Sequence, residues 1–252
     1  MTEGVDCPMK DPNTMTARDD DRLARVLAAV RALARAEDMP VAVRHVCQAC
    51  ATMVRAGGVG LYLIGDLGSG EPIYATDALS ERIMDMQVTV GEGPGVQALD
   101  GLSPVLAPEL TGIPSQRRWP LFASAAVEVG ASAVFAFPLV QHAISVGVLE
   151  IHRVVEGGLS RDEISDALLF AEVAASLLAD LVEADPDDTE EFACGVGARW
   201  GEIHRAIGVV SIQLESGLTE AFLRLRARAF ASDRPLSEIA EDVLTQRMRF
   251  NP

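Results

Sequence analysis

The spacing of the apolar residues changes along these 252 residues, and this change limits the possible folds more than any other feature. From position 19 to position 54, and again after position 159, apolar residues recur at three and four positions, which is typical of amphipathic helices. Between these regions the apolar residues form short β-rich runs separated by turns. The patterns predict an α+β protein: an antiparallel sheet flanked by helices, then a long helix and a small all-α unit of three helices.

Five runs are predicted to be strands, at residues 59–64, 71–75, 104–107, 131–140 and 145–152. The last two are close enough along the chain to predict a β-hairpin. Helices are predicted at residues 19–33, 41–54, 95–99, 119–129 and 159–182. The longest of these follows Ser160, which has Glu163 three residues later and so matches a capping box.

Proline and acidic residues at 185–188 predict a domain boundary. The chain is therefore divided into a flexible leader (1–18), an α+β domain (19–184), a linker or coiled helix (185–202) and a helical domain (203–250). Three helices are predicted in the last domain. Thr219 is expected to cap the second of them, and the third is expected to follow Asp233, Arg234 and Pro235.

The net charge of −16 argues at first against nucleic-acid binding, because phosphate contacts require Lys and Arg. The C-terminal residues differ from the rest: Arg199 to Pro252 contain eight arginines against seven acidic residues. Lys10 is the only lysine in the chain. Arginine suits bidentate phosphate contacts and base stacking, so the C-terminal domain remains a candidate for RNA.

No apolar run approaches the roughly 18 to 20 residues of a membrane-spanning helix, and the first residues lack a secretory signal pattern. We therefore expect a cytoplasmic protein without membrane partners. Its four cysteines are too few and too scattered for a disulfide framework. Cys47 and Cys50, close to His45, lack the second ligand pair that structural zinc requires, so we interpret them as small buried side chains and predict no metal site.

The C-terminal residues 203–250 contain three short motifs in order. Ala206 and Gly208 lie in the first predicted helix, a Leu-Arg-x-x-Ala pattern in the second, and a Pro-Leu-Ser-x-x-Ala pattern in the third. The residues of the last two motifs are Leu225, Arg226 and Ala229, then Pro235, Leu236, Ser237 and Ala240. This unit closely resembles an ANTAR domain.

Two upstream stretches, GEGPGVQALDGLSPVLAPEL and RWPLFASAAVEVGASAVFAFPLVQHAISVGVLEIHR, are similar to the GAF domains that precede ANTAR domains in actinobacteria. The resemblance covers about residues 20 to 184. It implies a sensory domain that controls an RNA-binding domain, which binds paired RNA stem-loops and acts in transcription antitermination. The Asn-Lys-Phe-Asp/Glu signature of cyclic-nucleotide GAF domains is missing, so a cyclic nucleotide is disfavoured and the cofactor or ligand is unknown.

The second ANTAR-like helix places Arg226 between Phe222 and Phe230 on one stripe, with arginines on the neighbouring stripe. Aromatic rings and guanidinium groups read unstacked RNA bases, so this surface is the candidate RNA interface. Alternatively, both rings belong to the core and the arginines are solvated. Gly208 interrupts a helix and predicts a close approach by RNA or by another helix. The predicted RNA contacts are Arg205, Ala206, Gly208, Phe222, Arg224, Arg226 and Arg228.

A small-molecule pocket is predicted between the sheet and the segments 91–99 and 119–129. The glycine-rich segment could present backbone N–H groups to an anion, or it could be only a tight turn. The candidate ligand residues are Gly91, Gly93, Gly95 and Trp119. His142 and His152 are weaker candidates for binding haem or a metal.

No nucleophile with a base, no phosphate-binding loop and no catalytic carboxylate pair is recognisable, so we expect no enzyme. The alternative function is a small-molecule sensor whose helical tail docks a protein partner or DNA. A homodimer is predicted through the long helices, because residues 160–182 carry two apolar stripes. These are Ile164, Leu168, Ala171, Ala175, Leu178 and Val182, and Ala167, Ala174 and Leu181.

Overall fold

The computed structural model describes residues 17–65, 67–68, 70–183 and 196–251. Most of the predicted leader and the boundary at 185–188 therefore lie outside the described residues. Five strands form one antiparallel sheet in the order β2-β1-β5-β4-β3. They are β1 (Gly58–Ile64), β2 (Gly70–Ala75), β3 (Val105–Ala107), β4 (Ala133–Gln141) and β5 (Ile144–Arg153).

The predicted hairpin is confirmed as β4 and β5, which pair along nearly their whole length. Its turn consists of His142 and Ala143, both with positive φ, 47° and 64°. Two consecutive residues of positive φ match the right-handed twist of the flanking strands. His142 therefore has a role in the turn, and the α+β class with an antiparallel sheet is confirmed.

Three helices cover one face of the sheet: α1 (Ala17–Ala36), α2 (Val43–Met53) and α7 (Arg161–Glu183). Their core includes Val26, Val46 and Phe170, which pack on the strand side chains Phe135 and Leu149. This arrangement follows from the helical spacing of apolar residues in all three segments. Burying these faces against one sheet stabilises this half of the domain.

The predicted capping box at α7 is confirmed. The Ser160 amide donates to Glu163 Oε2 at 2.7 Å, and the Glu163 amide donates to Ser160 Oγ at 3.2 Å. The predicted apolar stripes of α7 turn inward: Ala167, Ala171 and Ala174 are buried within this chain. Leu168 is 44% exposed. The side chains of Leu181 and Val182 lie outside the described ones.

The other face of the sheet carries α3 (Ala78–Val90), α4 (Pro94–Leu99), α5 (Ile113–Arg118) and α6 (Pro120–Glu128). Neither α3 nor α5 is predicted from the sequence. The buried side of α3 contains Ser80 and Gln87 besides Ile83, Met84 and Val88, so two polar residues interrupt its apolar stripe. Asp77 caps this helix and Gly91, with φ of 77°, ends it.

A polar cluster fixes the start of α3 on the sheet. Asp77 accepts hydrogen bonds from the amides of Leu79 and Ser80 and from the Ser80 hydroxyl. The Ser80 hydroxyl also lies 3.1 Å from His152 Nδ1 on β5. His152 is therefore a buried structural side chain, and burial lowers its pKa.

The C-terminal unit contains the three predicted helices, α8 (Val196–Leu214), α9 (Leu218–Ser232) and α10 (Leu236–Leu244). Helix α8 begins seven residues before the predicted boundary at 203. Gly217, not Thr219, occupies the N-cap position of α9, so that assignment is wrong. The helices share a core with the α3 face of the sheet domain, whose C-terminal members include Trp200, Ile203, Phe222 and Leu225.

No single described helix is long and apolar enough to cross a membrane. The pair Gly197–Leu214 and Leu218–Ser232, bent by 105°, meets the length and composition test only when taken together.

Candidate functional site

Helix α3 lies between the sheet and the C-terminal helices, and polar residues on its two sides contact both. On the inner side Gln87 is fully buried against β1 and β5. On the outer side Glu81, Asp85 and the Thr89 carbonyl contact residues of the C-terminal unit. The candidate functional site is therefore built around this one helix.

The inner side of α3 holds a buried carboxyl group. Gln87 Nε2 donates to Glu150 Oε2 at 2.7 Å and to the Tyr62 hydroxyl at 2.9 Å. The Tyr62 hydroxyl donates to Glu150 Oε1 at 3.3 Å. Burial raises the pKa of Glu150 to about 7, against hydrogen bonds that favour the ionised form. Glu150 is thus a group that can change its charge near neutral pH without leaving the core.

Three residues of this site are not predicted from the sequence: Tyr62, Gln87 and Glu150. One signal was available: Glu150 interrupts the apolar run of β5 at a position whose neighbours Val148 and His152 are also buried. A carboxyl group at a core-facing strand position requires partners, so it marks a special site. Gln87 and Tyr62 come from other segments, and only the folded chain brings them to it.

The glycine-rich segment is occupied by groups of this chain. The Gly95 amide donates to Gln87 Oε1 at 2.7 Å and also contacts the Glu150 carboxylate. Glu92 Oε1 accepts from the amides of Leu121 and Phe122 at the start of α6, at 2.6 Å and 2.9 Å. Within the chain, the Gly95 amide is therefore bonded to a neutral side-chain oxygen, and Glu92 of the same segment is itself an acceptor for the start of α6.

Two other predicted ligand residues have structural roles here. Gly93 has φ of 138°, and a side chain there would overlap Gln87, so glycine is required at this position. Trp119 is buried, with the Arg118 guanidinium 5.0 Å from the centre of its ring. A small hollow of about 150 Å³ lies beside Trp119 and Arg118. The structure does not bring Trp119 together with the glycines to form one site.

On the outer side of α3, one ion pair and one histidine–carboxylate contact join the domains. Arg199 on α8 pairs with Glu81, and His204 Nε2 lies 3.0 Å from Glu71 Oε2 on β2. Trp200 is buried between them and meets the ring of Phe222 edge-on at 6.5 Å. The contact surface between the two domains, hereafter the seam, therefore combines an aromatic centre with charged edges.

Asp85 caps a helix of the other domain. Its carboxyl group lies beside Pro235 at the start of α10, where the amide of Leu236, the first residue of that helix, acts to lower its pKa. The N-cap residue of α10 is Pro235, which has no capping side chain, so Asp85 supplies the missing acceptor across the seam. Burial raises the pKa of Asp85 to about 6, while the Leu236 amide opposes this change.

Arg226, the arginine of the second motif, contacts the end of α3. Its Nε donates to the Thr89 carbonyl at 3.3 Å, and its guanidinium lies 5.5 Å from the centre of the Phe222 ring. The contact requires Gly91, because a Cβ at that position would overlap the guanidinium. Burial lowers the pKa of Arg226.

The structure divides the other predicted RNA contacts into two groups. Ala206 and Phe222 are buried, Phe222 with 2% exposure, so the core interpretation holds for them in this arrangement. Arg205, Arg224 and Arg228 are exposed, and the first two pair with acidic neighbours on their own helices. Phe230 is 53% exposed. The predicted aromatic pair is therefore split between the core and the surface.

Gly208 has open space where a side chain would be. The prediction that another helix approaches closely at this position is therefore wrong among the described residues. The predicted contact with RNA at Gly208 remains a prediction. Gly201, two turns earlier on the same face of α8, also has open space where a side chain would be.

The seam is incompletely filled. One hollow of about 310 Å³ lies among Glu81, Arg199, Trp200 and Pro235. Two more, of about 260 Å³ and about 310 Å³, follow α3 toward its end and share Thr89, Val90, Leu121 and Phe230 as lining residues. The two domains share one hydrophobic core at the seam, and these hollows leave its edges incompletely filled.

The thiols and histidines form no metal centre among the described residues. Cys47 and Cys50 are free and fully buried, and burial raises the pKa of Cys50 far above its ordinary value. The interpretation of this pair as small buried side chains is confirmed.

No protein-family model matches the chain, and no curated protein matches it. Several solved structures are similar to it. The GAF domain of a phosphoenolpyruvate-protein phosphotransferase from Acinetobacter has 11% sequence identity and a TM-score of 0.49, over 67% of this chain and 98% of that one. The corresponding domain from Coxiella burnetii has 16% identity and a TM-score of 0.48, over 66% and 95%. A GAF domain/HD domain protein from Geobacter sulfurreducens has 12% identity and a TM-score of 0.44, over 56% and 92%.

Proposed function

We propose that this chain is a cytoplasmic two-domain regulator in which a GAF-type sensory domain controls an ANTAR-type RNA-binding domain. The C-terminal unit binds paired RNA stem-loops and acts in transcription antitermination. The sensory domain recognises a small molecule and has no enzymatic activity. The observation that carries the proposal is the position of Arg226: the arginine of the ANTAR-like motif is also the residue that contacts α3.

The charge distribution supports RNA as the partner. The C-terminal unit holds Arg205, Arg224 and Arg228 at its surface, in a chain whose remaining residues are strongly acidic. RNA binding through a few arginines depends on phosphate contacts, so it weakens with salt. A second binding unit raises the effective concentration and compensates for a small contact surface.

A filter-binding titration of the full chain tests the proposal. The RNA carries two linked hairpins, and the competitors are a single hairpin and duplex DNA. We expect the linked hairpins to bind most tightly. A preference for duplex DNA would favour the alternative of a DNA-binding tail, and the absence of RNA binding at moderate salt would reject the proposal.

Paired variants make the test specific. Arg224→Gln with Arg228→Gln removes two exposed cations from α9. The negative slope of log affinity against log salt should therefore become less steep by roughly 1.5 to 2. Arg25→Gln with Arg31→Gln makes the same change of charge on the exposed side of α1, which contacts α2 and α7. This control should leave the slope unchanged. Equal effects of the two pairs would mean that only net charge matters.

The small-molecule input is tested by a thermal-shift screen of metabolites with the full chain. Hollows along α3 offer volumes close to those of ligand sites, and a ligand at α3 would contact both domains. We expect at least one compound class to raise the unfolding temperature. A uniformly empty screen would favour a sensory domain that only pairs with another copy.

A further inference from the structure

The end of α3 offers Arg226 an oxygen acceptor of partial negative charge in the place where an RNA phosphate would offer oxygens of full charge. The last carbonyl groups of a helix lack partners within the helix, and the aligned peptide dipoles place about half a negative charge at that end. Thr89 lies in the last turn of α3, and its carbonyl accepts the hydrogen bond from Arg226. A guanidinium beside oxygen acceptors of partial negative charge resembles a guanidinium on a phosphate.

The local geometry is adapted to this contact. Gly91 ends α3 with φ of 77°, a conformation that glycine adopts without strain. The same glycine leaves the space that the Arg226 guanidinium fills. The guanidinium carbon of Arg226 lies 5.5 Å from the centre of the Phe222 ring, within the range of a cation–π contact. No carboxylate among the described residues pairs with Arg226, so the end of α3 is its counter-charge within the chain.

From these contacts we infer that the C-terminal end of α3 is an intramolecular substitute for RNA phosphate, which occupies Arg226 and keeps the RNA-binding domain inactive. The closed arrangement is held by Asp85 at the start of α10 and by the pair of Arg199 with Glu81. RNA and α3 compete for one side chain, so separation of the seam raises RNA affinity. This inference rests on the proposed function and adds its regulation.

A substitution on the C-terminal side of the seam provides a test, because its effect on charge and its effect on the seam should change RNA affinity in opposite directions. Arg199→Glu places two acidic side chains together, so the seam should open. The substitution also removes a cation next to the RNA-binding domain, which by itself would weaken RNA binding. We expect affinity for the linked hairpins to rise about fivefold or more, because the closed state no longer withholds Arg226. The double variant Glu81→Arg with Arg199→Glu restores the pair and should restore the original affinity.

Arg226→Ala distinguishes competition from simple loss of a contact. In the unaltered protein the substitution opens the seam and also removes an RNA contact, so the affinity should change less than about threefold. In the Arg199→Glu protein the seam is already open, so the same substitution should weaken binding about tenfold. Equal effects in both backgrounds would overturn the inference.

Two measurements show whether the seam is open in the absence of RNA. One is hydrogen exchange of the Leu236 amide. The other is acrylamide quenching of Trp200 fluorescence, measured in proteins that also carry Trp119→Phe so that Trp200 is the remaining tryptophan. Opening with unchanged or weaker RNA binding overturns the inference but leaves the proposed function standing. If no variant binds RNA, both fail. If Arg199→Glu does not open the seam, the double variant Asp85→Ala with Arg199→Glu removes a second contact across it. If this double variant opens the seam and its RNA affinity is unchanged, the inference is likewise overturned.

Discussion

Glu150 makes the stability of the sheet domain depend on pH. Its pKa rises from 4.5 to about 7 on folding, because burial disfavours the carboxylate. The unfolded chain therefore releases this proton first as the pH rises. The free energy of unfolding falls between these two pH values and stays lower above them, by up to roughly 3 kcal/mol from this group.

Glu150→Gln tests this dependence. The variant keeps an acceptor for Gln87 but never ionises, so it should gain stability relative to the unaltered protein between about pH 5 and about pH 8. Urea unfolding at both pH values gives the comparison. The pKa of Asp85 is also raised, but this residue is present in both proteins, so its contribution cancels in the difference between their unfolding free energies. An equal difference in stability at the two pH values would show that Glu150 does not titrate in this range.

Gly208→Ala should raise the free energy of unfolding by about 1 kcal/mol, because alanine is the better helix former and the space is open. Gly201→Ala is the matched control on the same helix, with equally open space. If RNA approaches Gly208 closely, only the first substitution weakens RNA binding. Denaturant unfolding with hairpin titration of both variants separates the two effects, and a loss of stability at Gly208 would contradict the open space.

At the scale of elements, the cap of α10 comes from another domain. Asp85→Ala removes the acceptor of the Leu236 amide, so α10 should lose about 0.5 to 2 kcal/mol and exchange this amide faster. Asp85→Asn keeps an oxygen acceptor and should retain most of the protection. Hydrogen exchange resolved along α10 provides the measurement. Unchanged exchange in the alanine variant would mean that Asp85 does not cap α10.

The elements also show what the sequence can predict. The five strands and the helices of regular apolar spacing, such as α7 with its capping box, follow from local rules. Helix α3 does not, because Ser80 and Gln87 occupy core positions and are satisfied by His152 and Glu150 from β5. The contacts on the outer side of α3 join residues that are even farther apart in the sequence. Asp85 and Arg226 acquire their roles only when the two domains meet. The site was missed because two polar residues interrupt the apolar stripe of the helix that carries it.

At the scale of the whole molecule, the predicted homodimer requires a free apolar face. The apolar stripes of α7 are largely used within the chain, whereas α8 keeps Gly201 and Gly208 open and Ile212 80% exposed. Ile212 is a large apolar side chain that α8 leaves exposed, so this helix is the better candidate for pairing. We therefore expect Ile212→Asp to convert a dimer into a monomer.

Light scattering at micromolar concentration tests this expectation. The unaltered protein should show about twice the 26.8 kDa of one chain, and Ile212→Asp about that single mass. Leu168→Asp is the control on α7 and should leave the mass unchanged. A mass of one chain for the unaltered protein, persisting when RNA is added, would reject the dimer.

The cluster of Asp77, Ser80 and His152 fixes the start of α3 on the sheet, and this end is the pivot around which the helix would tilt. Thr89 lies twelve residues after Asp77, at a distance of about 18 Å along the helix. A tilt of about 5° around the pivot moves its far end by roughly 1.5 Å, enough to break a hydrogen bond of 3.3 Å. A change at Gln87 and Glu150, close to that far end, therefore needs only a small displacement to act on Arg226. Such a change can remain inside the core while its effect appears at Arg226, on the proposed RNA surface.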